Sequence, residues 1–501
     1  KNLSLLHANS KMSHFNVIIC FTFFFFIPLI FGNACFPSNA PSTPSLRSIF
    51  VQVERNAHTI SLQPELFPLA RHMTSRLHSD HVELEFIAQV SGSDAFCAHF
   101  YKALEKFLGS STFQLQIGSA GGPEGYQTPQ QLFNAFQSLA NQHSSHAKLI
   151  NLNQHYDLPS TVEGRDIFAL KISDNVDRDE DEPNQLLVSN FHARELITPE
   201  IALSTAQYLL AYNTTLTRAI VDTTQTYIAW TWNPDGLAYV WSNDNMWRKN
   251  RRVVGEQFGE PVYGVDLNRN FAFGWNATCG GSTVIESQTY RGLAPFSEAE
   301  TTLMRKFQDE RKFVKLLDIH SYSREARRNY GNCKQLPSNI VSMLSNYAAE
   351  YARAARYENA QSCCVGGDIA YAYHSFGTLA TLIETGNAFQ PPAAEMHAEV
   401  RRVLPANILY LSFAVPLTGR VVDSEHHNVG VAANISVLHE NWENNEIWST
   451  NHFSRYNLWL PAGYYTIQVT PKNTNLYRKT TFSVNLQNPQ STKIFDVYLD
   501  P

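Results

Sequence analysis

Between residues 128 and 413 the chain alternates short apolar runs with longer segments of helical period, and this restricts the fold more than any other feature. A run such as Leu186-Leu187-Val188 has no polar side to offer water, so as a strand it is covered on both faces. The segments between such runs supply the cover. Residues 128–142, opened by Thr128-Pro129, and residues 199–212 have helix spacing. Residues 167–172, Leu316-Leu317-Asp318-Ile319 and residues 378–383 read as further strands. Strands alternating with helices predict an α/β/α sandwich around a mixed central sheet. From Leu417 onward, short runs divided by Asn and Gly, at residues 432–438, 464–469 and 480–484, predict a small antiparallel β-sandwich. Ahead of the main body, residues 49–117 read as a small α+β domain. Its strands are expected at 49–53, 82–90 and 113–117 and its helices at 64–77 and 93–108, with a Gly-rich joint at 118–123.

Composition narrows the class. With 501 residues, 44% hydrophobic and 17% charged, the chain has the material for a large core and little of a disordered chain's character. Its net charge of −6 and pI near 6.3 argue against a nucleic-acid binder. A mean hydropathy of −0.26 excludes a multi-span membrane protein. Met12 is the expected start, and residues 15–31 are almost wholly apolar but too short and too interrupted by Pro28 to span comfortably. Followed by Gly32-Asn33-Ala34, they read as a signal peptide, which predicts secretion with no stable membrane span. Residues 37–48 read as a linker. In an oxidising compartment Cys35, Cys97, Cys279, Cys333, Cys363 and Cys364 form an even set, and a bridge from Cys333 to Cys363 or Cys364 is one open pairing. Asn213, Asn276 and Asn434 head glycosylation triplets. The acidic stretch 173–184 reads as a solvated loop.

The chemistry is concentrated in Ser189-Asn190-Phe191-His192-Ala193-Arg194-Glu195, where an apolar strand meets a helix. Imidazole nitrogen and carboxylate oxygen are zinc ligands, and His192 and Glu195 can face one cation from a tight turn. A third ligand is offered by His320, at the end of another apolar strand. Two histidines and a glutamate leave a fourth position for water, the arrangement of a hydrolytic rather than a structural zinc. Glu384, ending the apolar run 378–383, is an unfavourable place for a charge without a task.

These motifs and their order resemble the zinc metallocarboxypeptidases. His192-Ala193-Arg194-Glu195 is followed by Asn233-Pro234-Asp235-Gly236, Trp247-Arg248-Lys249-Asn250-Arg251 and Gly264-Val265-Asp266-Leu267-Asn268-Arg269-Asn270. Ala294-Pro295-Phe296-Ser297-Glu298, His320-Ser321-Tyr322, Gly366-Gly367 and Leu382-Ile383-Glu384 complete the likeness over roughly residues 125–415. The resemblance implies one zinc per chain, held by His192, Glu195 and His320, and peptide or protein C-termini as substrates. It makes Glu384 the general base, Arg248 the oxyanion stabiliser and Asp266 the partner that orients His192. Asn268 and Arg269 become the clamp for the substrate's terminal carboxylate. Arg194 and Tyr322 become substrate contacts, and Ile369 the floor of the specificity pocket.

Departures matter for what the chain is expected to cleave. Ser362 stands where the family usually has a mobile tyrosine, and Tyr357 is the residue that could replace it from a rearranged loop. Thr418-Gly419-Arg420 and Leu460-Pro461-Ala462-Gly463 resemble the transthyretin-like domain of the regulatory, or processing, members. An isoleucine floor predicts apolar or aromatic C-terminal residues. A one-residue shift would bring Asp368 to the floor and predict Lys or Arg, as in prohormone-like processing. A non-catalytic peptide-binding member is the rival from another class. The expected divisions are 1–34 for leader and signal, 35–122 for a linker and a prosegment or accessory domain, 123–415 for the catalytic domain and 416–501 for the β-sandwich.

Overall fold

The computed structural model describes the strand backbone at residues 45–54, 70–77, 81–90 and 113–117. It then describes residues 121–501 apart from 258, 331–333, 358 and 363–364, with backbone alone at 359–362. The expected signal stretch 15–31, the helix at 93–108, and Cys35, Cys97, Cys333, Cys363 and Cys364 lie outside the described residues. The chain divides into two compact units, Lys1–Ser119 and Ala120–Pro501.

In the first unit, β1 (Ser45–Glu54), β2 (Ala70–Leu77), β3 (His81–Val90) and β4 (Phe113–Ile117) form an antiparallel sheet in the order β2-β3-β1-β4. Two expectations are corrected here. Residues 70–77, read as the end of a helix, are a strand paired with β3. Ala70, Met73 and Leu77 have helix-like spacing, and a register irregularity between Ala70 and His72 breaks the two-residue alternation that would have marked a strand. Ser45 to Ser48, read as linker, are the first four residues of β1.

In the second unit the strands are β5 (Ala147–Asn151), β6 (Phe168–Ile172), β7 (Asn184–Ser189), β8 (Gln225–Ala229), the hairpin β9 (Val253–Gln257) and β10 (Glu260–Tyr263), β11 (Lys315–His320), β12 (Glu325–Arg328), β13 (Asn359–Ser362) and β14 (Leu379–Glu384). The helices are α1 (Pro129–Gln142), α2 (Leu152–Tyr156), α3 (Ile197–Ala211), α4 (Thr215–Thr223), α5 (Pro234–Ser242), α6 (Ala299–Arg311), α7 (Ser338–Ala355), α8 (Asp368–Phe376) and α9 (Ala393–Ser412). Eight strands form one mixed sheet in the order β13-β12-β14-β11-β7-β8-β6-β5. Its centre is parallel, β14 with β11, β11 with β7 and β7 with β8. Every residue of β7, β8 and β11 is buried, as a doubly covered sheet requires.

The alternation along each strand separates two faces. Leu187, Ile228, Leu317, Ile319 and Ile383 join one apolar cluster with Phe136 of α1, Ile201 of α3, Leu344 of α7 and Met396 of α9. Leu186, Val188, Tyr227, Leu316, Ala380 and Leu382 join the other with Leu303 and Phe307 of α6 and Ile369 of α8. Helix α1 begins where the sequence placed it. Thr128 accepts from the Gln131 amide and the Gln131 side chain returns the bond, a reciprocal cap that satisfies two orphan donors.

The C-terminal part carries two further sheets. One is β18 (Arg455–Leu458), β15 (Leu417–Asp423) and β21 (Lys493–Ile494), with β22 (Val497–Leu499) also on β15. The other is β17 (Trp448–Ser449), β16 (Ala433–Leu438), β19 (Gly463–Pro471) and β20 (Thr480–Leu486). Strand β16 buries every second residue, and the rings of Tyr456 and Phe482 meet across the sheets at 6.2 Å. This part is hydrogen-bonded to the loops before β7 and β11 and to α8. Trp459 Nε1 donates to Val314 O at 2.8 Å, Trp448 Nε1 donates to Tyr373 O at 3.0 Å, and Arg455 makes two 2.7 Å bonds to Asp181.

Asp181 belongs to the acidic stretch read as solvated loop. In the structure that stretch also pairs Asp179 with Arg311 at 2.9 Å and Asp177 with Lys148 at 2.6 Å. Cys279 is disulfide-bonded. Among the described residues no helix is long and apolar enough to cross a membrane.

Candidate metal centre and active site

The site is assembled where β7, β11 and β14 end. After Ser189 the chain turns through Asn190, whose φ of 57° is tolerable for an Asn because its short side chain bonds locally. Its Nδ2 donates to His192 O at 3.1 Å and its Oδ1 accepts from Thr231 at 2.9 Å. Asn233 caps α5 by accepting from the Gly236 amide at 2.9 Å, and its Nδ2 donates to Phe191 O and Lys249 O. A Cβ on Gly236 would lie 2.6 Å from Asn233 Oδ1 and 2.8 Å from the Ala193 methyl. The Asn233-Pro234-Asp235-Gly236 motif therefore locks the His192 loop against the Arg248 loop, where Ala193 N donates to Arg248 O at 3.0 Å.

His192, Glu195 and His320 converge, with ligand atoms within 4.8 Å of one another and all three side chains buried. His192 Nδ1 lies 2.8 Å from Glu195 Oε1, His320 Nδ1 lies 3.0 Å from Glu195 Oε2, and the two Nδ1 atoms are 3.0 Å apart. The far nitrogens face carboxylates. His192 Nε2 is 3.1 Å from Asp266 Oδ1, and His320 Nε2 is 2.8 Å from Asp318 Oδ2. A proton on each Nε2 satisfies those carboxylates and leaves two Nδ1 lone pairs crowded against a carboxylate. A divalent cation relieves that arrangement. Two imidazoles, one carboxylate and carboxylate-oriented rings are the donor set of a zinc site open to water.

The electrostatics have the same sense. Burial works to raise the Glu195 carboxyl, but positive charge on the two histidine rings overrides it and holds it well below the ordinary range, and a cation in place of those ring protons would act in the same sense. Burial opposes ionised Asp266 too, and Arg248, His192 and Arg269 together hold it low. Arg248 is 2% exposed and donates through Nη2 to Asp266 at 2.7 Å. Asp318 is backed by a second buried acid. Burial, then the Asp318 charge, pushes the Asp368 carboxyl far above its usual value. The Asp368 amide donates to Asn268 Oδ1 at 3.0 Å, and its Oδ1 accepts from Ile369 N at 2.6 Å.

Around this centre the structure gathers most of the residues singled out from sequence. Asn268 Nδ2 donates to Asp318 Oδ2 at 3.1 Å beside the His320 ring, so its amide braces the metal site. A Cβ on Gly367 would lie 2.5 Å from Asn268 Oδ1, which explains a glycine there. Half-buried Arg269 follows, its Nη1 on Asn268 O at 2.6 Å. Arg194 is fully buried with its guanidinium 4.2 Å from the Phe389 ring centre, and Tyr322 meets the same ring edge-on at 4.8 Å. Glu384 lies opposite His320 in the β14–β11 register, 12% exposed, with Arg327 Nη1 3.5 Å from its Oε1. Ile369 is 1% exposed within the cluster that includes Leu382.

Two alternatives raised by the sequence fare poorly. Tyr357 is buried and donates to Glu399 at 2.8 Å, so it is not held out as a replacement for the tyrosine missing at Ser362. Asp368 is fully buried against Asp318 rather than presented to a basic side chain. Sequence reasoning missed Asp318, Phe389 and Arg327 as members of the site. The signal for Asp318 was available in Leu317-Asp318-Ile319-His320, where strand alternation puts the acid on the histidine's face.

A family profile described as zinc carboxypeptidase, Peptidase_M14, matches residues 134–405, more than half of the chain. The chain belongs to this family. Zinc carboxypeptidase A 1 of Drosophila melanogaster is 32% identical over 196 residues, which cover 38% of this chain and 44% of the fly protein. Inactive metallocarboxypeptidase ECM14 of Ajellomyces capsulatus (strain NAm1 / WU24) is 31% identical over 258 residues, 48% of this chain and 40% of the fungal one. The matched regions thus span less than half the length of these relatives. Among solved structures, thrombin activatable fibrinolysis inhibitor matches with a TM-score of 0.58 at 18% identity, covering 74% of this chain and 98% of the other. Carboxypeptidase A of Helicoverpa armigera matches with a TM-score of 0.56 at 19% identity, covering 73% and 97%. These likenesses establish the metallocarboxypeptidase fold.

Proposed function

We propose that this chain is a secreted zinc-dependent carboxypeptidase that hydrolyses the last peptide bond of peptides or proteins. The observation that carries the reading is Glu384. A carboxylate stands in register with His320, at the mouth of a His-Glu-His cluster whose outer nitrogens are already tied to acids. Zinc, when bound, supplies a water acidified to a pKa of about 7 and a Lewis acid for the scissile carbonyl. Glu384 accepts the proton of the attacking water on a carboxylate oxygen and delivers it to the departing amine. Arg248, held by Asp266, places positive charge where the carbonyl oxygen becomes negative. Arg269 takes the free terminal carboxylate in a fork, while Asn268, expected as the other half of that clamp, has its amide on Asp318 instead; the fork confines the reaction to the chain end. Tyr322, Phe389 and Arg194 form one contact group for the residues before the scissile bond.

Some relatives are named inactive, and a binder built on the same fold is the competing reading. It has no use for a general base, and Glu384 supports the enzyme. The test is Glu384→Gln. The variant is expected to bind zinc one to one, as the wild type does, and to lose at least about 100-fold in turnover, the scale of general-base loss. A wild type that binds zinc and peptide yet cleaves no peptide of any C-terminal sequence would establish the binder instead.

A further inference from the structure

We infer that Arg327 makes this site selective for peptides that end in an acidic residue, glutamate or aspartate. The inference rests on the carboxypeptidase reading and adds the substrate class.

Strand β12 runs antiparallel beside β14, with Glu325 opposite Glu384 and Arg327 opposite Leu382. Ala326 between them belongs to the apolar cluster on the far face of the sheet. Alternation therefore puts Glu325 and Arg327 on the near face, with Leu382 and the metal-site residues. Two rows of side chains cross three neighbouring strands there. One is His320, Glu384 and Glu325, and the other is Asp318, Leu382 and Arg327. The second row is bordered by Ile369, which shares its cluster with Leu382.

Arg327 is held in place. Its Nε and Nη2 donate to Glu325 Oε2 at 3.0 and 2.9 Å, and its Nη1 lies 3.5 Å from Glu384 Oε1. Its side chain remains 28% exposed. The general base must come within about 3 Å of the scissile nitrogen to deliver its proton. A cation in ion-pair range of that base is then within reach of the side chain attached to the same nitrogen's residue, the C-terminal one. With Glu325 on its Nε–Nη2 edge, the guanidinium would meet a substrate carboxylate through Nη1, as a single charge-assisted hydrogen bond. The same charge opposes Lys or Arg there. Apolar side chains still meet Leu382 and Ile369 but leave the cation without a new partner. The expected order is Glu or Asp, then Phe or Leu, then Lys or Arg. The sequence expectation of an apolar preference rested on Ile369 alone, and Arg327 is what it lacked.

The test uses dipeptide analogues in which a ketomethylene group replaces the scissile amide, ending in Glu, Phe or Lys. Their binding to the zinc-loaded protein is measured by calorimetry, beside a cleavage panel of ordinary peptides with the same ends. The wild type is expected to bind the Glu analogue at least ten-fold tighter than the Phe analogue. R327L is expected to invert that order, and R327K to retain a reduced acidic preference. Two results overturn the inference: Phe binding as tightly as Glu in the wild type, or R327L weakening all three analogues equally, which would make Arg327 a tether for Glu384 only. Failure to bind any analogue overturns it as well. Failure of the hydrolase reading looks different, with the analogues bound in the expected order and no peptide cleaved.

Discussion

Asp318 lies two residues before His320 and does as much for that ring as Asp266 does for His192. Its Oδ2 is 2.8 Å from His320 Nε2, and Asn268 Nδ2 donates to the same oxygen at 3.1 Å. Carboxylates in this position fix the tautomer and strengthen the imidazole as a donor. Asp318→Ala is expected to lower zinc affinity about 10- to 100-fold, measured by competition with a chromophoric chelator. Unchanged affinity would show that Asn268 and the strand hold the ring without it. Residues close together in the chain were legible from the sequence. His192 and Glu195 declare themselves on one turn, and His320 ends an apolar run. Arg327 could not be read that way. Its meaning comes from lying opposite Leu382 and diagonal to Glu384, and register between strands far apart in sequence is not written in either strand alone.

At the scale of elements, β11 carries opposite demands at its two ends. His320 stands at the open end. At the other, Lys315 is buried with its ammonium on Leu411 O and on Phe413 O, just where α9 ends. Burial pushes Lys315 down to about 7. Between that value and the ordinary lysine range the unfolded chain binds more protons than the folded one, so this group makes stability rise with pH there. From pH 7 to pH 9 the wild type is expected to gain about 2 kcal/mol relative to Lys315→Met, read from urea midpoints of both proteins. A difference that stays constant with pH would mean that Lys315 is charged throughout. The central strands were legible because continuous apolar runs admit few alternatives. Strand β2 was not, because Ala70, Met73 and Leu77 satisfy a helical spacing locally and only pairing with β3 overrides it.

At the scale of the whole molecule, the C-terminal sheets and the eight-stranded sheet stand in one compact unit, Ala120–Pro501. The join is made by large rings as well as ions. Trp459 is 1% exposed, stacks edge-on against Tyr347 at 5.2 Å and donates to Val314 O. The change in sequence style at Leu417 announced a second architecture but not these contacts, which depend on where loops bring single tryptophans. Trp459→Ala is expected to cost about 3–5 kcal/mol, the range for truncating a buried aromatic, seen as a lower denaturant midpoint. A loss under about 1 kcal/mol would make the C-terminal sheets an independent appendage. The central claim concerns the whole molecule acting on a chain end, and mass spectrometry of a peptide incubated with the zinc-loaded protein tests it most directly. A peptide ending in a free-carboxylate glutamate is expected to lose one residue from that end. Its C-terminally amidated twin is expected to be cleaved at least 100-fold more slowly, because the arginine fork has no partner, and chelation to stop both. Internal cleavage, or equal cleavage of free and amidated peptides, would contradict the account.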